Sequence, residues 1–122
     1  MNDNLIVRGV RGANCVRENT TASIHASTRE LLQAMLKVNE IEMDNIVSLF
    51  FTLTADLNAA FPAEAARRLG LQFTPLLCTQ EIDVPGSLAK VVRILMLINT
   101  NKSLEDINHV FLGEAKVLRD DL

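Results

Sequence analysis

The stretch Val91-Val92-Arg93-Ile94-Leu95-Met96-Leu97-Ile98 carries one charged side chain, with apolar residues at every other position. Its length and its branched, apolar content predict a strand. An unpaired guanidinium in an apolar interior is prohibitively costly, so Arg93 demands a carboxylate or an anionic ligand. From this segment alone two outcomes stand level. One is a structural ion pair, or an edge arginine reaching solvent; the other is an anion site.

The remaining elements follow from changes of period. Leu5 to Gly12 is mostly apolar and branched and is cut by Gly9 and Gly12, which predicts a strand ending near Arg11. From Thr20 to Asn39, Ile24, Leu31, Met35 and Val38 share a face flanked by Leu32 and Leu36, an amphipathic helix capped by Thr20 or Thr21. Ile46 to Leu53 reads as a strand covered on both faces. Pro62 opens a second helix over Ala59 to Leu69, and Gly70 stops it. Thr74 to Thr79 and His109 to Leu112 complete the strands. Ser103 is placed to cap a helical turn over Leu104 to Asn108. The result is an α/β or α+β fold, a mixed five-stranded sheet with two main helices on one face. Its other apolar face needs a partner, and self-assembly is the economical solution.

Composition narrows the function. The chain has 122 residues, enough for one domain over 1–122 with a real core. Apolar residues make up 48% and charged residues 22%, which excludes disordered and low-complexity classes. A net charge of −3 argues against nucleic acid or an anionic membrane as partner. No apolar run approaches the ~20 residues that span a bilayer, and Met1-Asn2-Asp3-Asn4 lacks the basic region of a signal peptide. Cys15 and Cys78 are too few for a disulfide framework and fit a reducing, cytoplasmic setting.

Among chemistry-bearing residues, Arg11 follows a glycine-rich strand end where the backbone leaves room for a ligand. Arg8, three residues back, falls on the opposite sheet face and reads as structural. Glu64 pairs with Arg68 four residues on. Glu81 closes a buried strand, where open sheets tend to place their sites. His25 and His109 share no metal-ligand spacing with each other or the cysteines, and His25 belongs to the polar, solvated side of the long helix. Cys78 reads as a small hydrophobe. What remains is several cations, one carboxylate and no nucleophile–base pair. That set suits binding an anion and stabilising developing charge.

Together these residues carry a resemblance. Arg8-Gly9-Val10-Arg11-Gly12-Ala13, Thr54-Ala55-Asp56-Leu57-Asn58-Ala59-Ala60-Phe61-Pro62-Ala63, Cys78-Thr79-Gln80-Glu81, Val84-Pro85-Gly86-Ser87-Leu88 with Arg93, and His109-Val110-Phe111-Leu112 with Leu118-Arg119 resemble the monofunctional bacterial chorismate mutases. These are the mutases of the trimeric α/β pseudo-barrel type. The blocks keep the family's order and cover nearly the whole chain. The resemblance implies a homotrimer with active sites between subunits, and the cofactor-free, metal-free Claisen rearrangement of chorismate to prephenate on the branch to phenylalanine and tyrosine. It implies Arg93 at the ether oxygen, Arg11 on a substrate carboxylate, and Glu81 accepting from the ring hydroxyl with Cys78 beside it. Phe61, Ala63 and Arg67 match residues lent by the neighbouring subunit. Leu118 and Arg119 match a closing C-terminal segment. Two positions depart: Phe111 stands where many relatives have tyrosine, and Glu64 where some have lysine. The chain also stops at Leu122, short of a longer closing tail. The competing readings are a carboxylate-binding enamine/imine deaminase-like enzyme and a catalytically weakened anion-binding trimer.

Overall fold

A computed structural model of the chain describes residues 5–121, with side chains as far as Leu118, so the reading of the Arg119 side chain lies outside the described residues. The chain runs β1 (Ile6–Cys15), α1 (Thr21–Val38), β2 (Ile46–Leu53), α2 (Ala63–Leu69), β3 (Leu76–Gln80), β4 (Val91–Thr100) and β5 (Val110–Phe111). Short 3-10 segments lie at Met43–Asn45, Leu104–Asp106 and Gly113–Asp121. The strands form one mixed sheet in the order β3-β2-β4-β1-β5. β4 is antiparallel to both β1 and β2, while β3 and β5 run parallel to β2 and β1.

The elements form where local preferences and pairing agree. Thr20 caps α1, its hydroxyl accepting the Ser23 N–H at 3.1 Å. Ile24, Thr28, Leu31, Leu32 and Met35 are the buried stripe of that helix. Val38, expected in the stripe, is exposed at the last turn. β1 runs past Arg11 to Cys15, because every residue from Ile6 to Cys15 has a partner between Val91 and Thr100. A continuous ladder outweighs the entropic cost of two glycines. α2 begins only at Ala63. Pro62 disfavours helical geometry at Phe61, and the N–H groups of Asn58 and Ala59 bond to the Asn19 side chain instead. Gly70 ends α2 at φ +123, a conformation closed to most side chains. β3 begins at Leu76 rather than Thr74, since Pro75 has no N–H to give the ladder. The Leu104–Asp106 turn is 3-10, and Ser103 does not cap it through its side chain; its hydroxyl bonds the Asp106 carboxylate at 2.9 Å.

Both helices lie on one side of the sheet. Leu31, Leu32 and Met35 of α1 pack with Val10, Leu49, Phe51, Ile94 and Met96, all of them buried. Each such side chain contributes about 1.5–3 kcal/mol relative to exposure. The opposite face is open. There Val7, Leu77 and Leu95 are 54%, 56% and 40% exposed. Within β2, Leu49, Phe51 and Leu53 are buried while Phe50 and Thr52 are only half-buried. In a single copy β2 is therefore covered on one face, not two, because no element among the described residues crosses the far side of its centre. The C-terminal segment covers only one end of that far side, where Ala13, Val91, Phe111 and Ala115 form a small cluster.

Candidate active site

Strand alternation resolves the charge in the apolar strand. Val92 and Ile94 point into the core, 0% and 3% exposed, so Arg93 and Leu95 project from the open face. Arg93 stands opposite Ala13 of β1 and Thr52 of β2. Glu81 follows β3 directly, and its N–H donates to the Leu53 carbonyl at 2.9 Å, carrying the β2–β3 ladder one residue further. Its carboxylate thereby reaches the open face. Oε1 accepts the Thr52 hydroxyl at 2.7 Å and lies 3.8 Å from Nη1 of Arg93. The last distance is an ion-pair separation, too long for a hydrogen bond. The Arg93 and Glu81 side chains are each 28% exposed, neither in bulk water nor sealed inside.

Arg11 occupies the next row of the same face, opposite Leu95. Two contacts with the β5 region fix it. Its N–H donates to Nδ1 of His109 at 2.9 Å, and its guanidinium lies 5.6 Å from the centre of the Phe111 ring, a cation–π distance. Burial, and secondarily the Arg11 charge, push the His109 pKa below its ordinary value. A neutral ring matches the acceptor role of Nδ1. Arg11, Thr52, Glu81, Arg93, Phe50 and Leu95 border a cleft of about 310 Å³. Past Glu81 and Arg93, a neighbouring hollow reaches Leu88 and Leu118. The loop between them is tied down at Asp56, whose carboxylate accepts the Lys90 N–H while Thr54 accepts that of Val91.

The remaining candidates form a second group. Cys78 pairs with Phe51 of β2, which places its side chain on the helix-covered side, opposite that of Glu81. Burial raises the thiol pKa and outweighs the lowering by the Ala63 backbone and the Arg67 charge. A protonated, half-buried thiol fits the reading of Cys78 as a small hydrophobe. Ala63 is buried, whereas Phe61 is 74% exposed just ahead of α2. Glu64 bonds Arg67 at 3.1 Å and reaches Arg68 at 3.4 Å, one more partner than its spacing predicts.

One copy of the chain thus gathers Arg11, Glu81, Arg93, Phe111 and Leu118, and sets Phe61, Ala63, Arg67 and Cys78 apart from them. Arg8 lies on the helix side, as its parity predicts, and bonds the Lys102 carbonyl. The room foreseen at Gly12 serves packing, since a Cβ there meets Met35 on the helix side at 2.5 Å. His25, expected in solvent, is half-buried, and its Nε2 has no hydrogen-bond partner among the described residues. Sequence reasoning missed Thr52, a small polar residue that becomes informative only once register sets it against Arg93. It also weighed His109 only as a metal ligand. Among the described residues no three His, Cys, Asp or Glu side chains converge as a ligand set, and no helix is long and apolar enough to cross a membrane.

Comparison with known proteins agrees with this geometry. The family model for chorismate mutase type I matches residues 7–122. The chain belongs to the type I chorismate mutase family. As a chorismate mutase it is an isomerase. Chorismate mutase AroH of Thermus thermophilus is 49% identical over 118 residues, 96% of this chain and 97% of that protein. Chorismate mutase AroH of Bacillus subtilis (strain 168) is 39% identical over 119 residues, 97% of this chain and 94% of that protein. A solved chorismate mutase from Clostridium thermocellum is 51% identical and superposes with a TM-score of 0.89, covering 90% of this chain and 98% of its own. The mixed five-stranded sheet with its helices is therefore the fold of this family.

Proposed function

We propose that the open-face cleft is one half of an active site that rearranges chorismate to prephenate, completed by a second copy of the chain within a homotrimer. The substrate is a dianion. In its Claisen rearrangement the ether C–O bond breaks ahead of C–C bond formation, so negative charge collects on the ether oxygen in the transition state. No group leaves and no covalent intermediate forms, so the protein has to fold the substrate and meet that charge. A fixed guanidinium does the second task, because it interacts more strongly with the transition state than with the ground state.

Arg93 takes that role. Arg11 grips a substrate carboxylate, its guanidinium steadied over Phe111. Glu81 accepts a hydrogen bond from the ring hydroxyl. Phe61, Ala63 and Arg67 of the neighbouring copy supply an apolar wall and a further cation. Leu118 closes over the ligand. Holding the flexible ether chain in a reactive fold lowers the barrier further. The exposed Phe61 and Arg67, set apart from Arg11, Glu81 and Arg93 in one copy, support a site shared between copies, and the open apolar face supports their association. The two free cysteines fit a cytoplasmic setting.

The observation that carries this reading is the convergence of Arg11, Glu81 and Arg93 on one largely uncovered sheet face. Subunit complementation tests it. Chains carrying Arg93→Ala and chains carrying Arg67→Ala are each expected to lose most chorismate turnover. Refolded together, they regain activity, because a mixed trimer contains sites with both native arginines. No recovery in the mixture rules out the shared site, and a wild-type chain that fails to accelerate chorismate loss rules out the reaction.

A further inference from the structure

The carboxylate of Glu81 has two competing partners on the open face. A carboxylate beside an arginine ordinarily closes into a forked pair at hydrogen-bond distance, yet Glu81 stops at 3.8 Å from Arg93. The contact that sets its place is the 2.7 Å hydrogen bond from the Thr52 hydroxyl to the same oxygen, Oε1. Thr52 is the direct cross-strand partner of Arg93, so hydroxyl, carboxylate and guanidinium fall in one row across β2 and β4. A β-branched side chain in a strand is stiff about χ1, and both neighbours of Thr52, Phe51 and Leu53, are locked in the core. The donor is thus held by the sheet and by its own branching, whereas the longer, unbranched Glu81 side chain has rotatable bonds that its ladder hydrogen bond to Leu53 does not fix.

We propose that Thr52 is a positioning residue. It engages Oε1 of Glu81, holds the carboxylate short of a forked pair with Arg93, and turns the second oxygen towards the substrate. This rests on the reading of the cleft as the chorismate site. Thr52 touches neither reacting atom; it acts through Glu81.

The test is a double-mutant cycle in the full-length protein, with folding and assembly checked by circular dichroism and sedimentation. Thr52→Val keeps the shape and removes the hydroxyl, and it is expected to lower kcat/KM for chorismate about tenfold, the scale of one hydrogen bond to a charged group. Thr52→Ser keeps the hydroxyl and is expected to restore most of the loss. In a Glu81→Ala background, Thr52→Val is expected to cost under about twofold, because the residue through which it acts is gone. If Thr52→Val does not fold, Thr52→Ala set against Thr52→Ser gives the same comparison. Equal rates for the valine and serine variants overturn the proposal, as does an undiminished loss in the Glu81→Ala background. An active wild type indifferent to Thr52 sinks this proposal alone, whereas an inactive wild type sinks the chorismate reading and this proposal with it.

Discussion

Gly12 offers a clean separation of packing from ligand access. A Cβ added there lies 2.5 Å from the sulfur of Met35, 3.2 Å from its terminal methyl and 3.0 Å from Cδ1 of Leu31. Comfortable contacts of this kind are about 3.5–4.0 Å, so α1 or its side chains have to retreat by about 1 Å. Met35 and Leu31 are both fully buried and cannot swing into solvent. Gly12→Ala is therefore expected to destabilise the fold by about 1–3 kcal/mol, the range for overpacking. For a domain of this size that is a fall in Tm of roughly 4–12 °C. Melts are compared at equal protein concentration, since assembly makes Tm concentration-dependent. The added methyl points to the helix side, away from Arg93, so the folded variant keeps kcat/KM within about threefold. Met35→Ala opens space for the methyl, and the double variant is expected to be more stable than the two single losses sum to. An unchanged Tm with turnover abolished refutes this reasoning and returns Gly12 to the ligand.

Three further outcomes follow from the site. Phe111→Leu removes the ring face beneath Arg11, and is expected to raise KM about two- to fivefold with kcat little changed, as the loss of one cation–π contact implies; a change confined to kcat contradicts that role. Glu64→Gln frees Arg67 from its helix partner and removes a negative charge from the rim. KM for the dianionic substrate is expected to fall about threefold at low ionic strength and less at high salt, with stability changed by under about 1 kcal/mol. His109 has a folded pKa below the ordinary imidazole value of about 6.5. Above that value the His109 ring is neutral in both folded and unfolded chains; as pH falls through it, the ring in the unfolded chain takes up the proton first and stability declines. Urea midpoints at pH 7.5 and 5.5 are expected to differ more for wild type than for His109→Asn, and equal differences contradict the assignment.

Much of the fold was legible because local chemistry and tertiary pairing agreed. The Thr20 cap, the stripe from Ile24 to Met35, Ile46–Leu53 and the Gly70 stop all lie close to where they were expected. Boundaries slipped where pairing decided them: β1 and β4 lengthen each other, and Pro62 and Pro75 trim the ends of their elements. Arg93 announced itself because a charge in an apolar run has few outcomes. Its relation to Glu81 and Thr52 depends on register between strands distant in sequence, which no local pattern contains. The division of the site is likewise a matter of sheet faces. Cys78 is three residues from Glu81 in sequence, yet its side chain belongs to the other side of the sheet.

The central claim is that the positive charge of Arg93 lowers the barrier by meeting the ether oxygen. Replacing Arg93 with citrulline by semisynthesis keeps its planar shape and two of its three nitrogens, puts a carbonyl oxygen in place of the third, and removes the charge. With a folded assembly and substrate affinity within about tenfold of wild type, kcat is predicted to fall by at least about a thousandfold, at or beyond the upper end of what a lost oxyanion donor costs. A citrulline protein that keeps kcat within about tenfold of wild type contradicts the account.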